Sequence, residues 1–186
     1  ADGYGRVTGK PAATLLHCGP GLANGLANLH NARRAGSPIV NIVGDQATYH
    51  RPFDAPLTAD TEGWARGVSA WVRTAMDVRT VGQDAAAAVQ ASHTSPGQIA
   101  SLILPSDVSW NDGGFVGEPL PRLPTPLADS YQIEQTARML RQGGKDNGLI
   151  IGHAGLTEEG LLLAYRISAA TGCRLIAQGA NGKLSR

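Results

Sequence analysis

The stretch Pro11–Asp45, PAATLLHCGPGLANGLANLHNARRAGSPIVNIVGD, decides the fold class of this chain. Ala12–Leu16 is a short apolar run, Gly21–Ala35 is rich in Ala, Leu and Asn, and Ile39–Val43 is a β-branched run closed by Gly44. Runs of these lengths, punctuated by Gly and Pro, read as strand, helix and strand. A helix that joins two parallel strands places the first strand-to-helix corner at the carboxyl edge of the sheet, where open α/β folds hold ligands. The residues at that corner are His17, Cys18, Gly19, Pro20, Gly21 and, one helical turn on, Asn24.

The alternation continues to Ser109. After Gly44 comes an irregular stretch, Asp45–Asp60, with Tyr49, His50, Arg51, Pro52 and Pro56. Thr61–Trp71 reads as a short helix leading into a short strand near Ala70–Arg73, Gly82–Ser92 as an alanine-rich helix, and Gln98–Leu104 as a strand ending in Pro105-Ser106-Asp107. Between Asn111 and Ala128 four prolines and three glycines exclude a helix or a central strand and predict an extended linker. A second α/β pattern follows: Asp129 or Ser130 caps a helix through Leu140, Gly143-Gly144 stops it, and strand Leu149–Gly152, helix Thr157–Thr171 and strand Arg174–Ala177 succeed it. The expectation is a mainly parallel α/β sheet with helices on both faces over 1–110, a linker over 111–128, and an incomplete second α/β domain over 129–186.

Composition narrows the function classes. With 16 Lys+Arg against 15 Asp+Glu, the net charge of +1 leaves no electrostatic footprint for nucleic acid or an anionic membrane surface. No apolar run approaches the roughly 20 residues of a membrane-spanning helix, and no signal segment opens the chain; a soluble, cytoplasmic protein is expected. Cys18 and Cys173 lack metal-type spacing and read as reduced, buried thiols. No G-x-G-x-x-G follows either strand, which argues against a dinucleotide-binding domain.

Taken with the preceding ADGYGRVTGKP (Ala1–Pro11), the pattern resembles the pyrimidine-binding domain of thiamine diphosphate enzymes, in the acetolactate synthase and benzoylformate decarboxylase branch. The residues that carry the resemblance are Ala1, Asp2, Gly3, Tyr4, Arg6, Thr8, Lys10 and Pro11, then Gly19-Pro20-Gly21 and Asn24, then Ser37-Pro38 and Gly44. Pro96-Gly97 and Pro105-Ser106-Asp107 extend it over the first hundred residues. The resemblance implies a parent subunit that acts on a small 2-oxo acid by decarboxylation, carboligation or both, with thiamine diphosphate and Mg²⁺. Flavin (FAD) binding stays open at this point, as does decarboxylase against synthase. It also implies a homo-oligomer, a dimer or tetramer, with the cofactor held between subunits. The family's activating glutamate would lie roughly two helical turns before Ala1, and the Mg²⁺ and diphosphate ligands in a later domain. The chain therefore reads as a fragment, inactive by itself, with no metal ligands of its own. A family homologue that has lost catalysis and serves as a regulatory or interaction subunit is the alternative.

By the same resemblance His17 is the candidate catalytic residue, since a histidine in an L-H-(S/C) context faces the cofactor in the benzoylformate decarboxylase type. An imidazole suits proton transfer because its ordinary pKa is about 6.5; a strand-end histidine held for structure is the competing explanation. Gly19, Pro20, Gly21 and Asn24 are the candidate cofactor-binding residues, the first three offering a flat ring close backbone approach, the last an amide. Turn geometry alone also explains the glycines. Synthases of the family often carry glutamine where Asp45 stands, with Gln46 following here. His50, Arg51 and Arg33-Arg34 read as solvated, and His30, His93 and His153 as structural or surface residues.

Overall fold

The computed structural model describes residues 1–179, so the final part of the expected second domain, 180–186, lies outside the described residues. The chain divides into two compact units, Ala1–Leu123 and Pro124–Arg186.

In the first unit, helix α1 (Asp2–Thr8) leads into β1 (Ala12–His17), α2 (Cys18–Ala35), β2 (Ile39–Asp45), α3 (Thr61–Val68), β3 (Trp71–Thr74), α4 (Val81–Ser92), β4 (Ile99–Pro105) and the short α5 (Ser106–Trp110). The four strands form one all-parallel sheet in the order β1-β2-β4-β3. The first two crossovers move in one direction along the sheet and carry α2 and α3 to one face. The third steps back, and a right-handed crossover then puts its helix on the opposite face. The cores follow: Leu22, Leu29 and Ala32 of α2 and Ala65 and Val68 of α3 pack on Ile39, Val43, Ile99 and Ile103. Ala88 and Ala91 of α4 pack on Val40, Ala100 and Leu102. Strands β2 and β4 are thus covered on both faces, which is why they read as continuous apolar runs. β1 is an edge strand whose Ala13, Leu15 and His17 are exposed.

One polar row crosses the α2/α3 face. Thr14 Oγ1 donates to Asn41 Oδ1 at 2.9 Å, Asn41 Nδ2 donates to Ser101 Oγ at 2.9 Å, and Ser101 Oγ lies 2.8 Å from Ser69 Oγ. Asn41 and Ser101 are fully buried, and the row satisfies their side chains while fixing the register of three strands.

The structure corrects the corner. Gly19-Pro20-Gly21 does not form a turn ahead of a helix that begins at Gly21; it is the first turn of α2, which starts at Cys18 directly after the strand. The chain bends at Cys18, whose φ of 51° lies in the left-handed region, a conformation that costs a side chain-bearing residue about 1–2 kcal/mol. At its other end α2 stops in the ordinary way, with left-handed Gly36 donating to Ala32 O and Arg33 O. Helices α1 and α5 are also additions to the sequence reading.

From Asn111 to Asp129 the chain carries neither helix nor strand. Part of it nevertheless lies tightly on α4: a Cβ on Gly117 would meet Gly82 O, and Gln90 Nε2 donates to Pro121 O at 2.8 Å.

The second unit contains α6 (Ser130–Gly143), β5 (Gly148–Ile151), α7 (Glu158–Thr171) and β6 (Arg174–Ala177), with β5 and β6 a parallel pair. Asp129 accepts from Gln132 N and Thr157 from Gly160 N, capping the two helices. Leu156, Ala164 and Cys173 are buried.

Candidate functional site

The carboxyl ends of the strands bring together His17 of β1, Gly44 and Asp45 of β2, Thr74 of β3 and Pro105 of β4. His17 stands in register with Gly44, and Asp45 with Pro105. His17, Pro20 and Asn24 are exposed, Gly21 is half-buried and Gly19 is buried. Because α2 begins immediately after His17, these residues share one short stretch of edge: the last strand residue and the first two turns of the helix.

The two glycines differ in what they make room for. A Cβ on Gly19 would lie 2.4 Å from Ala59 Cβ, so its missing side chain is filled by the loop before α3. A Cβ on Gly21 would meet nothing closer than Leu16 C at 3.4 Å and His17 Cβ at 3.5 Å, ordinary van der Waals contacts. Gly44 leaves space beside the imidazole, since a Cβ there would stand 3.8 Å from His17 Nδ1. Cys18 Sγ lies 3.8 Å from His17 Nδ1 and 3.9 Å from Nε2. Its thiol is pushed above its ordinary pKa by burial first and by the Asp45 carboxylate second. Both cysteines are free and buried.

The loop between β2 and α3 is tied down at the same edge. The Asp45 side chain is 5% exposed, accepts from Gln46 N at 2.9 Å and Thr61 Oγ1 at 3.3 Å, and pairs with Arg51 Nε at 3.4 Å. Arg51, expected in solvent, is therefore the counter-ion of a buried carboxylate. Thr48 donates from its N–H and hydroxyl to Asp107, at 2.9 and 2.5 Å. Partial burial opposes ionisation of Asp107, but the Thr48 bonds and local backbone N–H groups outweigh it and hold the carboxyl below its usual range. Glu62 is held low by a hydrogen bond from Thr74 and a second from Arg66. Arg33 donates to Gly67 O at 2.8 Å, joining α2 to the end of α3.

Sequence reasoning missed Thr48, Thr61 and the anchoring role of Asp107. The Pro-Ser-Asp triplet after the last strand was the available signal for Asp107; nothing local marks Thr48, whose partner lies 59 residues away. His50 lies against Phe53, with ring centroids 6.4 Å apart.

Comparison with known proteins places this edge in context. Residues 1–67 match the family described as "Thiamine pyrophosphate enzyme, N-terminal TPP binding domain". Over 178 residues the chain is 48% identical to the Mycobacterium tuberculosis protein named "Putative acetolactate synthase large subunit IlvX", covering 96% of this chain and 34% of that protein.

The chain carries, over residues 1–67, the N-terminal domain of the thiamine pyrophosphate enzyme family.

It is also 27% identical over 145 residues to the acetolactate synthase large subunit IlvG of M. tuberculosis, covering 75% of this chain and 26% of the relative. A solved structure from Mycobacterium smegmatis, described as a "putative thiamin diphosphate-dependent enzyme", superposes with a TM-score of 0.80 at 24% identity. The match covers 96% of this chain and 34% of that one, and shows the shared fold. The chain thus spans about a third or less of the length of these relatives. The parallel α/β architecture is that of the family, and the residues expected to face its cofactor sit inside the matched segment. Among the described residues no helix is long and apolar enough to cross a membrane.

Proposed function

We propose that the chain supplies the pyrimidine side of a thiamine diphosphate site in an acetolactate synthase-like enzyme that decarboxylates a 2-oxo acid and transfers the remaining fragment. The observation that carries this reading is the grouping of exposed His17, Pro20 and Asn24 with half-buried Gly21 on one stretch of carboxyl edge inside the segment matched to the family. The fit is chemical: Pro20 and Gly21 offer a low, apolar surface to a flat heteroaromatic ring, and the Asn24 amide offers both a donor and an acceptor.

When bound, thiamine diphosphate would supply a carbon nucleophile and an electron sink for the loss of carbon dioxide from a 2-oxo acid. Pro20 and Gly21 would support one face of the ring and Asn24 would set its rotation. His17 would hold or release a proton beside the reacting carbonyl, a task for which an imidazole is the usual side chain. Asp45, Arg51, Thr48 and Asp107 hold the rim loop closed on the sheet and keep this edge shaped. Magnesium and the diphosphate are assigned to a separate domain, and the cofactor to a cleft between two copies of the subunit in a cytoplasmic homo-oligomer.

The test is His17→Ala in a subunit of the relatives' full length. Turnover per cofactor-loaded site is expected to fall by about 10²–10⁴-fold while cofactor affinity holds. Turnover within about threefold of wild type, roughly 0.65 kcal/mol, removes His17 from the chemistry.

A further inference from the structure

The bend between β1 and α2 asks for left-handed backbone, the conformation that favours glycine. Glycine stands one and three residues later, yet the bend itself falls on Cys18, at φ 51°. Strained backbone of this kind persists where the surroundings over-determine it, and its side chain is the place to look for a reason.

That side chain does not point to solvent; Cys18 is 3% exposed. Its sulfur lies almost equally far from the two ring nitrogens of the preceding histidine, at 3.8 and 3.9 Å. A point equidistant from Nδ1 and Nε2 lies on the plane that bisects the ring, so the thiol packs against the imidazole as a body and is not dedicated to either nitrogen. Across the sheet Gly44 is His17's register partner and presents no side chain to it. The exposed imidazole is thus bounded by backbone toward Gly44 and by sulfur toward the helix, and left open toward solvent at the carboxyl edge.

We infer that Cys18 is a positioning residue that fixes the orientation of the His17 imidazole. The inference rests on the proposed role of His17 at the carbonyl. Burial and the Asp45 carboxylate keep the thiol in its neutral form, so it acts as a soft wall and not as a competing base or nucleophile. A glycine at this position would ease the bend and lose the wall; a cysteine accepts the strain and keeps it.

The experiment uses the 186-residue chain with isotope-labelled histidine and compares wild type with Cys18→Ala, Cys18→Gly and Cys18→Ser. The side-chain couplings of His17 are expected to change from a single-rotamer pattern to an averaged one in Cys18→Ala and Cys18→Gly. Cys18→Ser, which keeps a polar atom at the wall, is expected to restore most of the single-rotamer pattern. Cys18→Gly separates orientation from folding: the relaxed bend keeps or raises its melting temperature while His17 loosens. In the full-length subunit Cys18→Ala should lower kcat by about tenfold with KM little changed, in line with the sensitivity of catalysis to ångström-scale misplacement. Unchanged couplings of His17 in both the Ala and Gly variants, with only the melting temperature moving, would overturn the inference. The spectroscopic readout needs no turnover, so it fails or succeeds independently of whether His17 acts in the chemistry.

Discussion

Gly19 and Gly21 look alike in the sequence and are expected to answer substitution in opposite ways. An added methyl on Gly19 would sit 2.4 Å from Ala59 Cβ, 3.3 Å from Leu57 O and 3.4 Å from a Trp64 ring carbon. Carbon atoms pack at about 3.5–4.0 Å, so the first contact demands a displacement of more than about 1 Å. Neither side yields easily, because one is the start of α2, where Cys18 and Gly19 are buried, and the other is the loop fixed by the Asp60 cap of α3, whose carboxylate accepts from Gly63 N at 2.8 Å. Overpacking of this kind costs about 1–3 kcal/mol, and the helical preference of Ala over Gly returns at most about 1 kcal/mol. Gly19→Ala should therefore destabilise the first unit by about 1–2 kcal/mol, a melting-temperature loss of about 3–10 °C for a unit of this size. Gly21→Ala meets nothing closer than 3.4 Å and should melt at or slightly above wild type. In the full-length subunit it should still weaken thiamine diphosphate by about tenfold, 1.4 kcal/mol, because it alters the surface offered to the ring. Paired thermal melts followed by circular dichroism decide the first part. Equal melting losses in the two variants, or none in Gly19→Ala, would refute the packing argument.

Asn41→Ala removes the centre of the buried row between Thr14 and Ser101 and opens a cavity; denaturant unfolding should show a loss of about 2–4 kcal/mol, and a loss below about 1 kcal/mol would mean the row is dispensable. Asp107, Glu62 and Asp2 are all held below the usual carboxylate range, Asp2 chiefly by its hydrogen bond from Arg6. Their contribution is complete above the unfolded-state values near pH 4 and disappears as pH falls through the lower folded-state values. Melting temperature should therefore drop below about pH 4, and Asp107→Asn should flatten that drop while speeding amide exchange at Thr48; an unchanged acid limb contradicts the assignment. The 186-residue chain alone should not bind thiamine diphosphate with Mg²⁺ at micromolar strength, about −8 kcal/mol, and tight magnesium-dependent binding in a calorimetric titration would show that it carries a whole site.

The residues that specify the fold are local, and so they were legible. Ala12–Leu16, Ile39–Val43 and Gln98–Leu104 announce strands by apolar runs between turn residues, and the structure extends or shifts each by one or two residues at an end. Asp129 and the Gly172 stop mark their helices through capping chemistry that acts within one turn. The corner was misread for the opposite reason. Gly-Pro-Gly carries a strong turn signal, but Pro is also favoured in a helix's first turn, and tertiary contacts at Gly19 and Cys18 decided between the two. Thr48 was illegible because its partner is brought close by folding: Asp107 can bind it only once β2 and β4 lie side by side. Arg51 is near Asp45 in the chain, but the irregular loop between them carries no periodic pattern that would turn its side chain back onto the strand end. His17 was legible as a position at a strand end, whereas the wall that borders it depends on a single left-handed residue no pattern announces.

In the proposed function the edge formed by His17, Pro20, Gly21 and Asn24 receives the pyrimidine ring of thiamine diphosphate. A crystal structure of the full-length subunit soaked with thiamine diphosphate and Mg²⁺ tests it directly. The ring is expected in van der Waals contact with Pro20 and Gly21, about 3.5–4.0 Å, with the Asn24 amide within hydrogen-bond reach of it and the His17 imidazole facing the reacting carbon. A ring bound elsewhere, with this edge covered by protein or open to water, would contradict it.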